Sequence, residues 1–176
     1  SRNAADGDDA AWVPVWTKEG DQGDSWQAAT IYWASGSYYR VTATRGGGNR
    51  GDIAIDNMNL LACTPAPTLA PTNAGETPIC NFNAGFCDWT QDVDDIFDWT
   101  LTGDSTPTSN TGPSTGSGHG GGAFIHIEAN DQTEGAYAAI TSSDTGCGLY
   151  VDYHMYGGGI GALTVSAKDA ADGEDA

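Results

Sequence analysis

The residues best suited to chemistry in this chain are oxygen donors and thiols. By the period-two alternation of a strand, Asp52, Ala54 and Asp56 take one face while Ile53 and Ile55 take the other. Two carboxylates on one face, beside Asn57, present hard oxygen ligands suited to calcium. The densest carboxylate run, Asp92, Asp94, Asp95 and Asp98, is an alternative set. Against both stands the plainer reading of solvated turn carboxylates. Cys63, Cys80, Cys87 and Cys147 are too widely spaced for a compact zinc site, because only Cys80 and Cys87 are close and no His pair accompanies them. Disulfides in an oxidising, extracellular setting fit the four thiols better.

The sequence contains no HExxH and no phosphate loop. His119, His126 and His154 lack metal-ligand spacing; His126 and His154 lie in strand-like runs, where satisfied sandwich hydrogen bonds are expected. Paired acids of the glycosidase kind depend on spatial separation, which sequence does not give. Arg50, Gly51 and Asp52 spell the tripeptide RGD, yet the same residues lead into a strand and are expected to serve the fold rather than an integrin. With 24 acidic against 6 basic residues the formal net charge is −18. That disfavours nucleic acid and anionic membrane surfaces as partners and makes calcium the natural counterion. No run of about 18 apolar residues is present to span a membrane.

The elements that position these groups read as strands. WVPVW (12–16), WQAATIYW (26–33), YYRVTAT (38–44), DIAIDNMNLL (52–61), ICNF (79–82), AFIHIEA (123–129), AYAAITS (136–142), GLYVDYHMY (148–156) and ALTVSA (162–167) are short, rich in β-branched or aromatic residues, and bounded by turn formers. No stretch reads as a long amphipathic helix. The expected fold is all-β, an antiparallel sandwich of jelly-roll type. TPAPTLAPTNAGETP (64–78) carries four prolines and reads as an extended, semi-rigid linker open to O-glycosylation. No Asn-x-Ser/Thr acceptor occurs. The polar stretch 102–122 reads as a long surface loop. AADGDDA (4–10) recurs as AADGEDA (170–176) at an offset of 166 residues, the mark of a repeating unit.

CNFNAGFCDWTQDVDDIFDWT (80–100) resembles the opening of a MAM domain, an extracellular adhesion and oligomerisation module with a β-sandwich fold. TGPSTGSGH (111–119), AFIHIEA (123–129) and CGLYVDYHMYGGGIGALTV (147–165) continue the likeness in family order. The first segment, with VWTKEGDQGDSWQAATI (15–31) and YYRVTATRGGGNRGDIAIDNMNLLAC (38–63), resembles the closing half of that family. The resemblance therefore implies a late half (1–63), a linker (64–79) and an early part (80–176). It also implies that Cys80 pairs with Cys87, and that Cys147 and Cys63 hold the family's third and last cysteine positions. Two arrangements follow. In a tandem array, favoured by the duplicated phrase, Cys63 bonds to a preceding repeat; in a circular permutant, the two segments fold together and Cys63 bonds to Cys147.

The resemblance further brings Asn83 near Asp56, giving a candidate calcium set of Asp52, Asp56, Asn83 and Asp98. The family usually has Glu where Asn83 stands, and Asp98 falls in its Asp-Trp motif, where a structural role is implied. The implied function is non-catalytic adhesion or structural assembly outside the cell, through neighbouring repeats, identical chains or other extracellular proteins. Its extreme version is a filament or surface coat built from such repeats. A glycan-binding module is the alternative, with Trp12, Trp16 and Trp33 as platform candidates and surface glycans as ligands.

Overall fold

The computed structural model describes residues 12–63 and 79–170; the linker 64–78 and the repeated phrase, apart from Ala170, lie outside them. Among the described residues nine strands form and no α-helix. The first segment supplies β1 (Val13–Glu19), β2 (Gln27–Arg45) and β3 (Ile53–Leu61). The second supplies β4 (Trp89–Gln91), β5 (Thr100–Thr102), β6 (Phe124–His126), β7 (Tyr137–Ser142), β8 (Gly146–Met155) and β9 (Ile160–Asp169). All ladders are antiparallel.

Strand β2 organises the architecture. Its first part pairs with β8, from Gln27↔Tyr153 to Tyr32↔Gly148; its second part pairs with β9 and β7 on either side, at Val41↔Val165 and Val41↔Ile140. One layer therefore runs β2–β8–β3–β6–β5 and the other β1–β9–β2–β7–β4, joined through β2. The bend falls between Tyr32 and Ser37, where Gly36 takes φ +74° and the Ser37 hydroxyl donates to the Ala34 carbonyl at 3.0 Å. Two separate strands were expected here; Ser35 and Gly36 read as a turn, but the backbone bends and continues as one strand. The result is the antiparallel β-sandwich expected from the sequence.

Between the layers lies the apolar core. Directly paired residues share a face, so Tyr39, Val41, Ala43, Ile140, Leu163 and Val165 project inward from one layer and meet Ile31, Ile55, Ile125, Leu149, Val151 and Tyr153 from the other, all buried. Disulfides Cys63–Cys147 and Cys80–Cys87 clamp it, the first across 84 residues and the second across 7. In the structure both segments complete a single sandwich within one chain, with Cys63 bonded to Cys147. ICNF at 79–82 forms only an isolated bridge, Met58↔Cys80, because β3 is irregular between Asp56 and Asn59.

The 103–123 stretch is strand-free, as expected, but it is not simply a surface loop. Thr106 and Thr111 are buried, and Thr111 Oγ1 accepts the Asp52 backbone N–H at 2.9 Å. The cause lies beneath it. The outer face of the β8–β3–β6 region carries polar side chains that need partners, and this loop supplies them.

Candidate functional site

Asp56 stands directly opposite Asp152 on the β3–β8 ladder, and Ala54 stands between His154 on β8 and His126 on β6. These side chains share the outer face of the first layer, yet Asp56, Asp152, His126 and His154 are each only 1–2% exposed. The 103–123 loop roofs them. Asn57 (φ +47°) turns its backbone N–H onto Asp56 Oδ1 at 2.7 Å, and its side-chain amide reaches Asp152 Oδ2 at 2.9 Å and the His119 carbonyl at 3.0 Å. The Tyr150 hydroxyl donates to Asp152 Oδ1 at 2.7 Å, and His119 Nδ1 lies 2.7 Å from Asp152 Oδ2.

Trp26 fastens the roof. Its ring stacks on His119 with centroids 6.2 Å apart, meets Phe124 and His154 edge-on, and donates Nε1–H to the Ser117 carbonyl at 3.3 Å. Asp24 holds the loop's other end: its Oδ1 accepts the Ser114 N–H at 3.3 Å and faces His154 Nε2 at 3.2 Å. Gly118 is required where the loop crosses the carboxylate, because a Cβ there would collide with Asp56 Oδ2.

The electrostatics follow from this enclosure. Burial pushes the Asp56 carboxyl up to about 6; the neighbouring Asp152 charge adds to the rise, while N–H groups of Asn57 and His119 oppose it. Burial likewise lifts Asp52 to about 6, against the Ala129 N–H donated to it at 2.9 Å. The Asp152 hydrogen bond pushes the Tyr150 phenol up to about 12. Burial lowers both His126 and His154, with Asp24 opposing the shift at His154. Hydrogen bonding to Ser114 lowers Asp24. His154 has the partner expected of it, but the ring nitrogens of His126 find no hydrogen bond among the described residues, and its ring lies against Phe124.

The structure brings some of the predicted ligands together and separates others. Asn83 Oδ1 accepts the Ala123 N–H at 2.8 Å and abuts Gly122, so Asn83 and Asp56 touch the same 118–123 loop. Asp52 turns instead to Ala129 and Thr111, and Asp98 is exposed beside Asp95. Among the described residues no three His, Cys, Asp or Glu side chains converge as metal ligands. The 92–98 cluster clips β7: Asp92 accepts the Thr141 hydroxyl at 2.7 Å and pairs with Arg40, Asp95 accepts the Ala139 N–H at 2.8 Å, and the Asp94 carbonyl accepts the Tyr137 hydroxyl at 3.1 Å. The RGD tripeptide ends on a fully buried Asp52.

The proposed sugar platform is also dispersed. Trp16 packs edge-on against Tyr153, and Trp12 lies 4.9 Å under the Arg40 guanidinium; Trp33, 41% exposed beside a 73% exposed Tyr32, is the one open ring of the three. Sequence reading missed Asp152, His119, Trp26 and Asp24. A signal existed for Asp152, a lone charge inside the apolar run GLYVDYHMY, which a strand tolerates only with partners.

The profile of the MAM domain, meprin/A5/mu, matches residues 80–176. Human MAM domain-containing protein 2 is 34% identical over 133 residues, covering 71% of this chain and 19% of that protein. Human zonadhesin is 29% identical over 154 residues, 82% of this chain and 5% of its own length, and zebrafish (Danio rerio) neuropilin-1a is 33% identical over 98 residues, 51% and 10% respectively. The chain thus spans a fifth or less of these relatives. No solved structure matches it. Among the described residues no helix is long and apolar enough to cross a membrane. On the profile match, which takes in more than half its length, the chain belongs to the MAM domain family.

Proposed function

We propose that this chain is a non-catalytic, extracellular adhesion-type module that associates with copies of itself in a tandem-repeat protein. The observation that carries this reading is the placement of the repeated phrase around one strand pair. AADGDDA precedes β1 and AADGEDA follows β9, and β1 and β9 are antiparallel neighbours with Val13 opposite Ala167. The same words thus flank the two strands that a single hairpin loop would join, as expected of successive units of one array. The zonadhesin match supports the same order, since it covers more of the chain than residues 80–176 contain. Two disulfides suit an oxidising location. Repetition adds multivalency, through which weak contacts sum to firm attachment and, at the extreme, to a filament or surface coat.

Calcium enters the proposal at Asp56 and Asn83, whose oxygens line the 118–123 loop. Two side chains fall short of the six to eight oxygens calcium takes, so backbone carbonyls and water complete the set. A bound cation would neutralise the Asp56–Asp152 face. The glycan reading retains one specific support, the exposed pair Tyr32 and Trp33. Sedimentation velocity tests the proposal: species heavier than one copy, with no response to soluble sugars, are the expected result. A monomer at every concentration that titrates with a glycan would replace it with the sugar-binding reading.

A further inference from the structure

The ladders have an unusual distribution. None of β1, β2 and β3 pairs with another; each pairs only with strands of the second segment. Strands β8 and β9 in turn pair only with β1, β2 and β3, and the ladders internal to the second segment are the three-residue pairs β4–β7 and β5–β6. Six of the eight ladders, and Cys63–Cys147, therefore cross between the segments. The first segment has no sheet of its own, and the second is a sandwich lacking central strands.

The connection between the segments is longer than closure requires. Cys80 bridges to Met58 beside β3, and Cys63 lies five residues beyond Met58, so the linker's anchors are roughly 17 Å apart along that strand. Its residues 64–78, extended, reach on the order of 50 Å. That slack is enough to carry β1–β3 away from their own second segment and into that of a neighbour. Every ladder and the long disulfide would be reproduced there unchanged, so the exchanged and closed forms differ mainly in chain entropy and concentration.

We infer that copies of this chain assemble by exchanging the segment 12–63, the β1–β3 strands of one copy completing the β4–β9 framework of another. This deepens the self-association reading and rests on it. Oxidation then locks the exchange. The Cys63 thiol of one copy and the Cys147 thiol of the next form the Sγ–Sγ bond, and their two electrons and two protons reduce a disulfide oxidant, such as glutathione disulfide, to two thiols. The partner is a second copy of this chain, and the assembly is set by the concentration at which the protein is oxidised rather than that at which it is measured.

The test co-folds equal amounts of reduced, unfolded 15N-labelled and unlabelled protein at high concentration in a glutathione redox buffer. Digestion on the N-terminal side of Asp, without reduction, leaves Cys63 in the fragment 56–87 and Cys147 in the fragment 144–151. Exchange predicts that about half of the linked fragments pair one heavy with one light partner, the statistical share for a two-fold swap. It also predicts assemblies that survive dilution. Association with linked fragments that are wholly heavy or wholly light overturns exchange and leaves association through the sandwich faces standing. Monomers with unmixed linkages overturn both readings.

Discussion

Asp56 and Asp152 face one another across the β3–β8 ladder, both almost wholly shielded from water, and His119 is the ring bonded to the second of them. Enclosure carries an electrostatic cost at Asp56, set first by burial and added to by the Asp152 charge.

That cost makes the pH response of Asp56→Asn specific. Because the folded carboxyl is raised to about 6, above its usual 3.8, the folded state binds the proton more tightly than the unfolded one. The ionised form therefore destabilises the fold at pH 7, and the penalty fades as pH falls from about 6 towards 3.8. Asp56→Asn, which keeps an oxygen for the Asn57 N–H, is expected to gain about 2–3 kcal/mol over wild type at pH 7, the gain vanishing near pH 4. Urea midpoints at pH 4, 5, 6 and 7 check this; a gain that does not shrink on acidification contradicts the burial account.

Cys63–Cys147 should outweigh Cys80–Cys87, because it closes the longer loop. Replacing both members by Ser is expected to cost about 4–5 kcal/mol for the first pair and about 2–3 for the second on chain-entropy grounds. Guanidinium unfolding of the two double variants makes the comparison; equal losses would set the loop-length argument aside.

Trp26→Ala should unfasten the roof while leaving the sandwich intact. The expected loss is about 2–4 kcal/mol, with faster amide hydrogen exchange concentrated in 113–122 and unchanged protection in β2 and β9. Uniformly faster exchange would make Trp26 a core residue instead.

Gly51 and Gly158 should respond oppositely to alanine. A Cβ on Gly51 drives into the Gly159 carbonyl oxygen, whereas nothing lies within 4 Å of one on Gly158. Gly51→Ala is expected to cost roughly 1–3 kcal/mol and Gly158→Ala close to nothing. Thermal melts of the pair decide it.

Calcium should raise the melting temperature over an EDTA-treated sample, and Asn83→Ala should remove the rise. An identical melt in both conditions would withdraw the cation from the proposal.

Much of the fold was legible because strand runs such as YYRVTAT and ALTVSA carry strict alternation and face one continuous core. The short β4 and β5 were not legible, since three residues hold no period; Trp89 and Thr100 become strand residues only by pairing with Ser142 and His126. The site was half legible. Asp56 and Asn83 meet at one loop, but the partners that define the polar face come from afar. Asp152 lies 95 residues from Asn57, and Trp26 lies 91 from Ser117, separations that no local pattern encodes. Asp52 and Asp56 alternate as expected, yet each is claimed by a different stretch of loop.

The pairing of Val13 with Ala167 sets a timetable for biosynthesis. Three strands are made with no mate among themselves, and within the described residues their mates β8 and β9 are made last, so the ladders internal to this stretch close late. Proteins dominated by such distant pairings fold slowly, and the waiting strands are open to any complementary sheet nearby. In a cell synthesising many copies at once, the nearest sheet belongs to a neighbour as readily as to the chain itself.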